Sequence, residues 1–161
     1  MRTTGFWNVS GSLPGKPDDV AYLRRVIGAL TGGRVCGDPR RVAMTGLSNG
    51  GGMTARMACE AADLLSAAAP VAGGYSTLPA CNPARPLPVL EVHGMRDSVV
   101  PYGGRGPQRA GAVDTFLAQW RSRNRCSGQS RLTRSGSVVE ERWQCAGGRV
   151  VARATIDDAE H

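Results

Sequence analysis

The sequence predicts an α/β fold in which a mostly parallel sheet is flanked by helices. Two observations support this fold class. Short apolar runs alternate with amphipathic stretches along most of the chain, and glycine clusters mark several of the junctions between them. A chain of 161 residues is also long enough for one domain with its own hydrophobic core. We therefore treat residues 1–161 as a single domain.

The first two thirds of the chain contain the alternating elements. A helix is predicted over "PDDVAYLRRVIGALTGG", where Pro17 and Asp18 suit a helix start and Gly32 and Gly33 end it. The run "RRVAMTG" then predicts a strand, and "MTARMACEAADLL" predicts a helix that continues to about Leu65. Two further strands are predicted at "SAAAPVAGG" and "LPVLEVHG".

The last third begins with a helix and ends in strands. The segment "QRAGAVDTFLAQWRSRNRC" is amphipathic, with Val113, Phe116, Leu117 and Trp120 on one face. Alternation in "SRLTRSGSVVEERWQC" predicts a hairpin that turns about Ser135–Gly136. The run "GRVVARATI" predicts one more strand before the chain ends in "DDAEH".

The charge pattern bears on which partners are expected. The formal net charge is +7, and Lys16 is the only lysine beside many arginines. These arginines are scattered, and no basic run with interleaved aromatic residues indicates a nucleic-acid surface. No stretch approaches the roughly 20 apolar residues that span a bilayer. The start, "MRTTGFWNVSGSLPG", also lacks the apolar core of a signal peptide. We expect neither a nucleic acid nor a membrane as a partner.

Five cysteines are many for a cytosolic chain of this size, and no C-x-x-C pair indicates a zinc or redox site. Structural disulfides in an exported protein are the better interpretation. Cys36 precedes the "RRVAMTG" strand and Cys59 closes the helix after it, so both should lie near the lower edge of the sheet. Cys126 ends the long helix, and Cys145 leads into the last strand. We predict the bridges Cys36–Cys59 and Cys126–Cys145, with Cys81 left over.

The segment Gly46-Leu47-Ser48-Asn49-Gly50 places a serine where a predicted strand meets a predicted helix. Such a serine is either a helix cap or a nucleophile. A nucleophile on this sharp, strained turn requires small residues two positions before and two positions after it. The N–H of Asn49, at the helix N-terminus, would donate to an oxyanion. The flanking strand and helix favour the nucleophile.

A serine nucleophile needs a base and a group that orients the base. The chain has two histidines, His93 at a strand end and His161 at the last position. On this kind of turn the order along the chain is serine, then acid, then histidine, which favours Asp97 and His161 and leaves His93 a structural role. Ser48, Asp97 and His161 each follow a predicted strand, at the carboxyl edge where such sites form. Taken singly, Asp97 would also suit a turn and His161 a terminal residue without a role.

Two segments, "DPRRVAMTGLSNGGGM" and "PVLEVHGMRDSVVPYGG", resemble the polyhydroxybutyrate depolymerase and feruloyl esterase family. These are secreted α/β-hydrolases, and the group also includes acetylxylan esterases. The resemblance extends to "PGKPDDVAYLRRVI" and "ACEAADLLSAAAPVAGG", and so covers nearly the whole chain. It implies an α/β-hydrolase fold and a serine carboxylic-ester hydrolase without metal or organic cofactor. The family's nucleophile, acid and base fall on Ser48, Asp97 and His161.

The sequence departs from the family in two places. The family's base usually lies in a Gly-His-Thr-Trp-Pro type of segment, whereas "DDAEH" lacks the glycines. Family members also carry early strands before the first helix, with a loop that supplies the second oxyanion donor. The resemblance therefore implies a partial α/β-hydrolase domain that lacks the early strands. We expect this chain alone to be poorly soluble or partly disordered, and essentially inactive, and we expect the protein to be exported.

Several alternatives remain open at the level of sequence. The substrate is a hydroxyalkanoate polyester, a feruloylated arabinoxylan or an acetylated xylan. Trp7, Tyr75 and Tyr102 either line a binding surface or pack in the core. A different function is that of a catalytically inactive fragment, or of a binding module with a degenerate hydrolase fold. A hydrolase with a cysteine nucleophile is disfavoured, because the turn carries Ser48.

Overall fold

The structure is a computed structural model that describes residues 5–11, 14–33, 36–104 and 113–161. The described residues form one sheet with helices packed against it. The elements in chain order are α1 (Asp19–Thr31), β1 (Ala43–Leu47), α2 (Asn49–Glu60), β2 (Ala67–Val71), β3 (Val89–Gly94), α3 (Val113–Arg123), β4 (Cys126–Ser135), β5 (Val138–Cys145) and β6 (Val150–Ile156). No helix among the described residues combines the length and apolar character needed to cross a membrane.

The sheet has six strands in the order β1-β2-β3-β6-β5-β4. Strands β1, β2, β3 and β6 run parallel, whereas β5 pairs antiparallel with both β6 and β4. This confirms the predicted α/β fold with a mostly parallel sheet. The carboxyl ends of β1, β3 and β6 consequently lie at one edge, where the residues after them can meet.

Two predicted boundaries differ from the observed ones. Helix α2 ends at Glu60 rather than near Leu65, since residues after it form a turn in which Leu65 is fully buried. The β4–β5 hairpin pairs Ser135 with Val138, so its turn is Gly136–Ser137, where Gly136 has a φ of +60°. The predicted beginning of the long helix, before residue 113, falls outside the described residues.

The core lies between the sheet and helices α2 and α3. Met53 and Met57 of α2 are fully buried, and Leu117 and Trp120 of α3 are 2% and 1% exposed. The predicted apolar face of α3 is confirmed, because Val113 and Phe116 are buried as well. Burying a large apolar side chain is worth about 1.5–3 kcal/mol. This packing fixes α2 against the sheet and thereby fixes the turn that precedes it.

The two disulfides join Cys59 to Cys81 and Cys126 to Cys145. The Cys126–Cys145 prediction is confirmed, and these residues face each other in the β4–β5 register. The Cys36–Cys59 prediction is wrong, and so is the expectation that Cys81 is left over. Cys36 is exposed and free. The long connection from β2 to β3 passes the C-terminal end of α2 and brings the Cα atom of Cys81 to 5.4 Å from that of Cys59.

Candidate active site

Ser48 lies on the sharp turn between β1 and α2 and has φ +58° and ψ −118°. A non-glycine residue in such a region costs on the order of 1–3 kcal/mol. Two backbone hydrogen bonds hold it there: Ser48 N–H donates to the Val71 carbonyl at 2.9 Å, and Gly52 N–H donates to the Ser48 carbonyl at 3.0 Å. The Ser48 side chain makes no capping hydrogen bond to α2. The helix-cap alternative therefore does not describe what this hydroxyl does.

The glycines around Ser48 have different steric surroundings. A Cβ atom on Gly46 would lie 2.5 Å from the Gly50 oxygen, whereas a Cβ atom on Gly50 would meet nothing within 4 Å. The crowded position on the helix side is Gly51, whose Cβ would lie 2.5 Å from the Val71 oxygen. The prediction that a small residue is needed two positions before Ser48 is confirmed at Gly46. The same prediction two positions after Ser48 is wrong at Gly50. On the helix side it is Gly51, one residue later, that packs against the end of β2 and leaves no room for a Cβ atom.

The structure brings the three residues predicted to form the catalytic group into one hydrogen-bonded chain. Ser48 Oγ lies 2.7 Å from His161 Nε2, and His161 Nδ1 lies 2.8 Å from Asp97 Oδ2. A carboxylate only accepts hydrogen bonds, so Nδ1 carries the proton and Nε2 is left to accept from the serine hydroxyl. The Asp97 side chain is fully buried and that of His161 is 20% exposed. This arrangement can transfer a proton from Ser48 to His161.

Asp97 is held as a carboxylate by its surroundings. Its Oδ1 atom accepts from the N–H groups of Val99 and Val100, at 2.9 and 2.7 Å. Burial by itself would raise the pKa of Asp97. The hydrogen bonds from His161, Val100 and Val99 outweigh burial and hold the pKa below its ordinary value. Asp97 is therefore ionised at neutral pH and can stabilise a protonated imidazole.

Backbone contacts join the turn that carries Asp97 to the segment that carries His161. Met95 N–H donates to the Ile156 carbonyl at 2.9 Å, and Arg96 N–H donates to the Ala159 carbonyl at 3.0 Å. A Cβ atom on Gly94 would overlap the Ala159 carbonyl, so only glycine allows the two segments to approach this closely. The glycine at the end of β3 is thus required by packing, because the segment that leads to His161 passes directly against Gly94.

Asn49 has a side-chain role that the sequence did not indicate. Its Oδ1 atom accepts from Trp7 N–H at 2.6 Å, and its Nδ2 atom donates to the Trp7 carbonyl at 3.1 Å. Trp7 is 38% exposed, and its ring centre lies 6.5 Å from that of Tyr22. The residue after the serine therefore holds an aromatic segment beside the turn. The Asn49 N–H belongs to the first turn of α2, whose N–H groups have no acceptor within the helix.

The other two aromatic candidates pack in the structure. Tyr75 is 7% exposed and stacks on Phe116 with ring centres 4.0 Å apart. Tyr102 is half-buried, and its hydroxyl donates to Asp114 at 2.9 Å and accepts from Arg153. Trp7 is thus the most exposed of the three candidates, and its backbone is bonded to the residue that follows Ser48.

His93 is buried and contacts Glu91, Val100 and Asp97. Its Nδ1 atom lies 2.8 Å from Glu91 Oε1, and its Nε2 atom donates to the Val100 carbonyl at 2.7 Å. The histidine that contacts Ser48 is His161, in line with the structural role that the sequence assigns to His93.

Two cavities among the described residues lie apart from this site. A cavity of about 290 Å³ is lined by Tyr75, Phe116, Trp120 and the Cys59–Cys81 bridge, and its lining includes none of the residues in the Ser48 chain. In the part of the chain that the structure describes, no group of three or more His, Cys, Asp or Glu residues could hold a metal ion.

A strained serine after a parallel strand, with a histidine and an aspartate from neighbouring strand ends, defines an α/β-hydrolase fold with a serine-hydrolase arrangement. A solved acetyl xylan esterase from Aspergillus awamori shares the fold, with a TM-score of 0.64 over 89% of this chain and 62% of that chain, at 15% identity. No protein-family model matches the sequence.

Among curated proteins, the relatives of this sequence are named as esterases. Feruloyl esterase B of Piromyces equi is 35% identical over 171 residues, which covers 96% of this chain and 31% of that protein. Putative esterase NocK of Nocardia uniformis is 42% identical over 91 residues, and probable feruloyl esterase C of Aspergillus clavatus is 32% identical over 88 residues. Similarity to a feruloyl esterase over 96% of the chain supports the esterase family that its motifs resemble. It spans 26% to 31% of the length of these curated relatives.

Proposed function

We propose that this chain carries the catalytic residues of a serine carboxylic-ester hydrolase that acts on plant cell-wall esters. The observation that carries the proposal is the continuous hydrogen-bonded chain from Ser48 through His161 to Asp97. The names of the relatives support the ester-hydrolase class. Because the chain spans about a third of the relative that it matches over most of its length, the proposal concerns the activity of the whole protein.

In the first half of the proposed reaction, Ser48 Oγ attacks the carbonyl carbon of the ester while its proton moves to His161 Nε2. The carbonyl oxygen becomes an oxyanion, and the N–H of Asn49 donates to it. Asp97 stabilises the imidazolium that forms. The tetrahedral intermediate then collapses, the bond to the alcohol oxygen breaks, and the alcohol leaves with the proton from His161.

In the second half, water replaces the alcohol. His161 takes a proton from the water as its oxygen attacks the acyl-Ser48 carbonyl, and it returns the proton to Ser48 Oγ as the acid leaves. The net reaction converts one ester and one water into an acid and an alcohol. The proposed mechanism uses no metal or organic cofactor.

Feruloylated or acetylated polysaccharide is the substrate class that we favour. Two relatives are named feruloyl esterases, and the structural neighbour is an acetyl xylan esterase. Trp7, held by Asn49 beside the Ser48 turn, offers an exposed ring on which a planar acyl group or a sugar could stack. A hydroxyalkanoate polyester has less support, since none of these relatives is named for it. Two disulfides favour an oxidising compartment, and we propose that the protein is exported.

The test combines an active-site label with ester hydrolysis. A fluorophosphonate probe should label the wild-type protein at Ser48, and the protein should hydrolyse p-nitrophenyl acetate and methyl ferulate. Ser48→Ala should lose the label and several orders of magnitude in rate. Ser76→Ala, which changes an exposed serine on the β2–β3 connection, should behave as wild type.

Two results would contradict the proposal. One is a label on a serine other than Ser48, or a Ser48→Ala variant that keeps a substantial part of the activity. The other is a folded whole protein that neither reacts with the probe nor hydrolyses any ester, which would favour the inactive binding module.

A further inference from the structure

A buried pair of Glu91 and His93 lies next to Asp97, and the proposed mechanism does not use it. Glu91 and His93 stand two residues apart on β3, so they point to the same face of the sheet. Both side chains are fully buried, and His93 Nδ1 lies 2.8 Å from Glu91 Oε1. Among the described residues, Glu91 Oε2 has no hydrogen-bond partner. Burying such a pair costs several kcal/mol of desolvation per ion, and an apolar pair of similar size would avoid that cost.

The hydrogen bonds of this pair indicate its protonation state. The Val100 carbonyl only accepts, so His93 Nε2 carries a proton. Glu91 Oε1 accepts from the Tyr75 hydroxyl at 3.0 Å and also faces His93 Nδ1. Burial by itself would lower the pKa of His93. The hydrogen bond and charge of Glu91, the Val100 carbonyl and the charge of Asp97 outweigh it and raise the pKa. Both ring nitrogens of His93 therefore face oxygen atoms of the protein, and these contacts favour its protonated form.

Two contacts connect His93 to the proposed acid. His93 Nε2 lies 3.4 Å from Asp97 Oδ2, which is the same oxygen that accepts from His161 Nδ1. The Val100 peptide links them a second time, because its N–H donates to Asp97 Oδ1 while its carbonyl accepts from His93. Asp97 is thus shared between the two imidazoles of the chain.

We infer that Glu91 and His93 are positioning residues that set the charge and orientation of the Asp97 carboxylate. Glu91 keeps His93 protonated, and His93 fixes the turn through Val100. The positive charge of His93 also offsets part of the negative charge with which Asp97 stabilises a protonated His161. This inference rests on the proposed function, because it assigns the pair a role in tuning the Ser48 reaction.

The sign of the effect follows from the charges. Without the positive charge of His93, Asp97 stabilises a protonated His161 more strongly, and the base accepts the serine proton less readily at low pH. The acid limb of the activity profile then moves to higher pH. Replacing Glu91 should also move the acid limb to higher pH, because His93 then loses the carboxyl group that favours its protonated form.

Other titratable groups contact the Glu91–His93 pair or lie one contact further away, on the β2–β3 connection, the segment after Asp97, α3 and β6. They are Tyr75, Tyr102, Asp114 and Arg153. Burial raises the pKa of both tyrosines, so they stay protonated while histidines titrate. Arg153 pairs with both Asp114 and Glu141, each at 2.6 Å, so these three charges are bound up with one another. Glu91 and Asp97 are therefore the carboxyl groups that contact His93 directly.

The first experiment needs no catalysis. Because the chain has two histidines, NMR of ¹⁵N-labelled imidazoles follows each ring separately. In the wild-type 161-residue chain, kept below the concentration at which it self-associates, His93 should be more than half protonated at pH 6.5, its ordinary pKa. Asp97→Asn should lower the pKa of His93 by about half a pH unit, and Glu91→Gln by about one unit or more. Asp38→Asn changes a residue that precedes β1, at the other end of the strands from His93, and should leave the pKa of His93 unchanged.

Two outcomes of the NMR titration overturn the inference. One is a His93 ring that is neutral at pH 6 in the wild-type chain, a measurement that requires no variant to fold. The other is an unchanged His93 midpoint in a folded Asp97→Asn variant, since coupling between the two groups must be reciprocal.

The second experiment measures the pH profile of kcat/KM for the whole protein. In both His93→Gln and Glu91→Gln, the acid limb should move up by about half to one pH unit, with KM little changed. A purely structural role would lower kcat at every pH without moving the limb, and that result overturns the inference. If the wild-type protein hydrolyses no ester, the proposed function fails, and the NMR titration still decides whether the pair is coupled to Asp97.

Discussion

Gly46 and Gly50 stand at equal distances from Ser48 along the chain, yet only Gly46 is sterically confined. Gly46→Ala would place a methyl group against the Gly50 carbonyl and force the turn to shift. We expect a loss of about 1–3 kcal/mol in the free energy of unfolding, and slower probe labelling because Ser48 moves away from His161. Gly50→Ala has open space inside α2 and should gain up to about 1 kcal/mol from helix propensity.

Urea unfolding of both variants, together with fluorophosphonate labelling, checks this difference. Equal destabilisation by the two substitutions would show that both glycines are required and that the open space beside Gly50 has no consequence.

At the same scale, the sequence could predict Ser48, Asp97 and His161, because their chemistry restricts the residue types and the chain order. Two features of the site could not be predicted in this way. The two hydrogen bonds between Asn49 and the Trp7 backbone depend on where residues 5–11 cross the turn, 42 positions away along the chain. The contact of His93 with Asp97 depends on how the segment after β3 folds back through Val100.

Among the elements, the Cys59–Cys81 bridge ties α2 to the β2–β3 connection across 22 positions. Cys81→Ser should lower the free energy of unfolding by about 3 kcal/mol on the chain-entropy model. Cys36→Ser is the matched control, since Cys36 is exposed and free, and should change it by less than about 0.5 kcal/mol. Urea unfolding measures both, and peptide mapping under non-reducing conditions identifies the pairs. Recovery of a Cys36–Cys59 peptide would contradict this assignment.

The two bridges differ in how far the sequence determines them. Cys126 and Cys145 lie in consecutive strands, so a local hairpin pattern is enough to pair them. The partner of Cys59 depends on the course of the β2–β3 connection, which is held by contacts between distant segments. Arg85 donates to the carbonyls of Ala62 and Leu65, and Arg123 of α3 donates to the Cys81 carbonyl at 2.9 Å. Spacing alone contains no signal for these contacts.

At the scale of the whole molecule, the sequence predicted the fold class but not the strand order. Alternating strands and helices indicate a parallel sheet, and the final alternating segments indicate antiparallel strands. The insertion of β6 between β3 and β5 is a tertiary arrangement. It matters for the site, because it places the segment after β6, and with it His161, directly beside the turn that follows β3.

The two edges of this sheet differ in protection. The outer strand β4 presents exposed residues that include Arg131 and Arg134, and charged side chains discourage pairing with another chain. The other outer strand, β1, has the sequence AMTGL without any charge, and Leu47 is 58% exposed. Within the described residues, β1 pairs with β2 alone. An uncharged, unpaired edge of this kind is a template for pairing between molecules.

We therefore expect the 161-residue chain to self-associate through β1 as its concentration rises, in keeping with the poor solubility that the sequence predicts. Thr45→Lys introduces a charge at the exposed centre of β1 and should shift the chain toward monomer, at a cost of about 1 kcal/mol for the lost hydrogen bond from Thr45 to the Ala69 carbonyl. Thr133→Lys adds the same charge to the exposed face of β4 and should leave association as in the wild type, because that edge is already charged. Size-exclusion chromatography with light scattering over a range of concentrations measures the effect. A wild-type chain that stays monomeric throughout, or a Thr45→Lys variant that associates as strongly as the wild type, would show that β1 is not the edge through which the molecules meet.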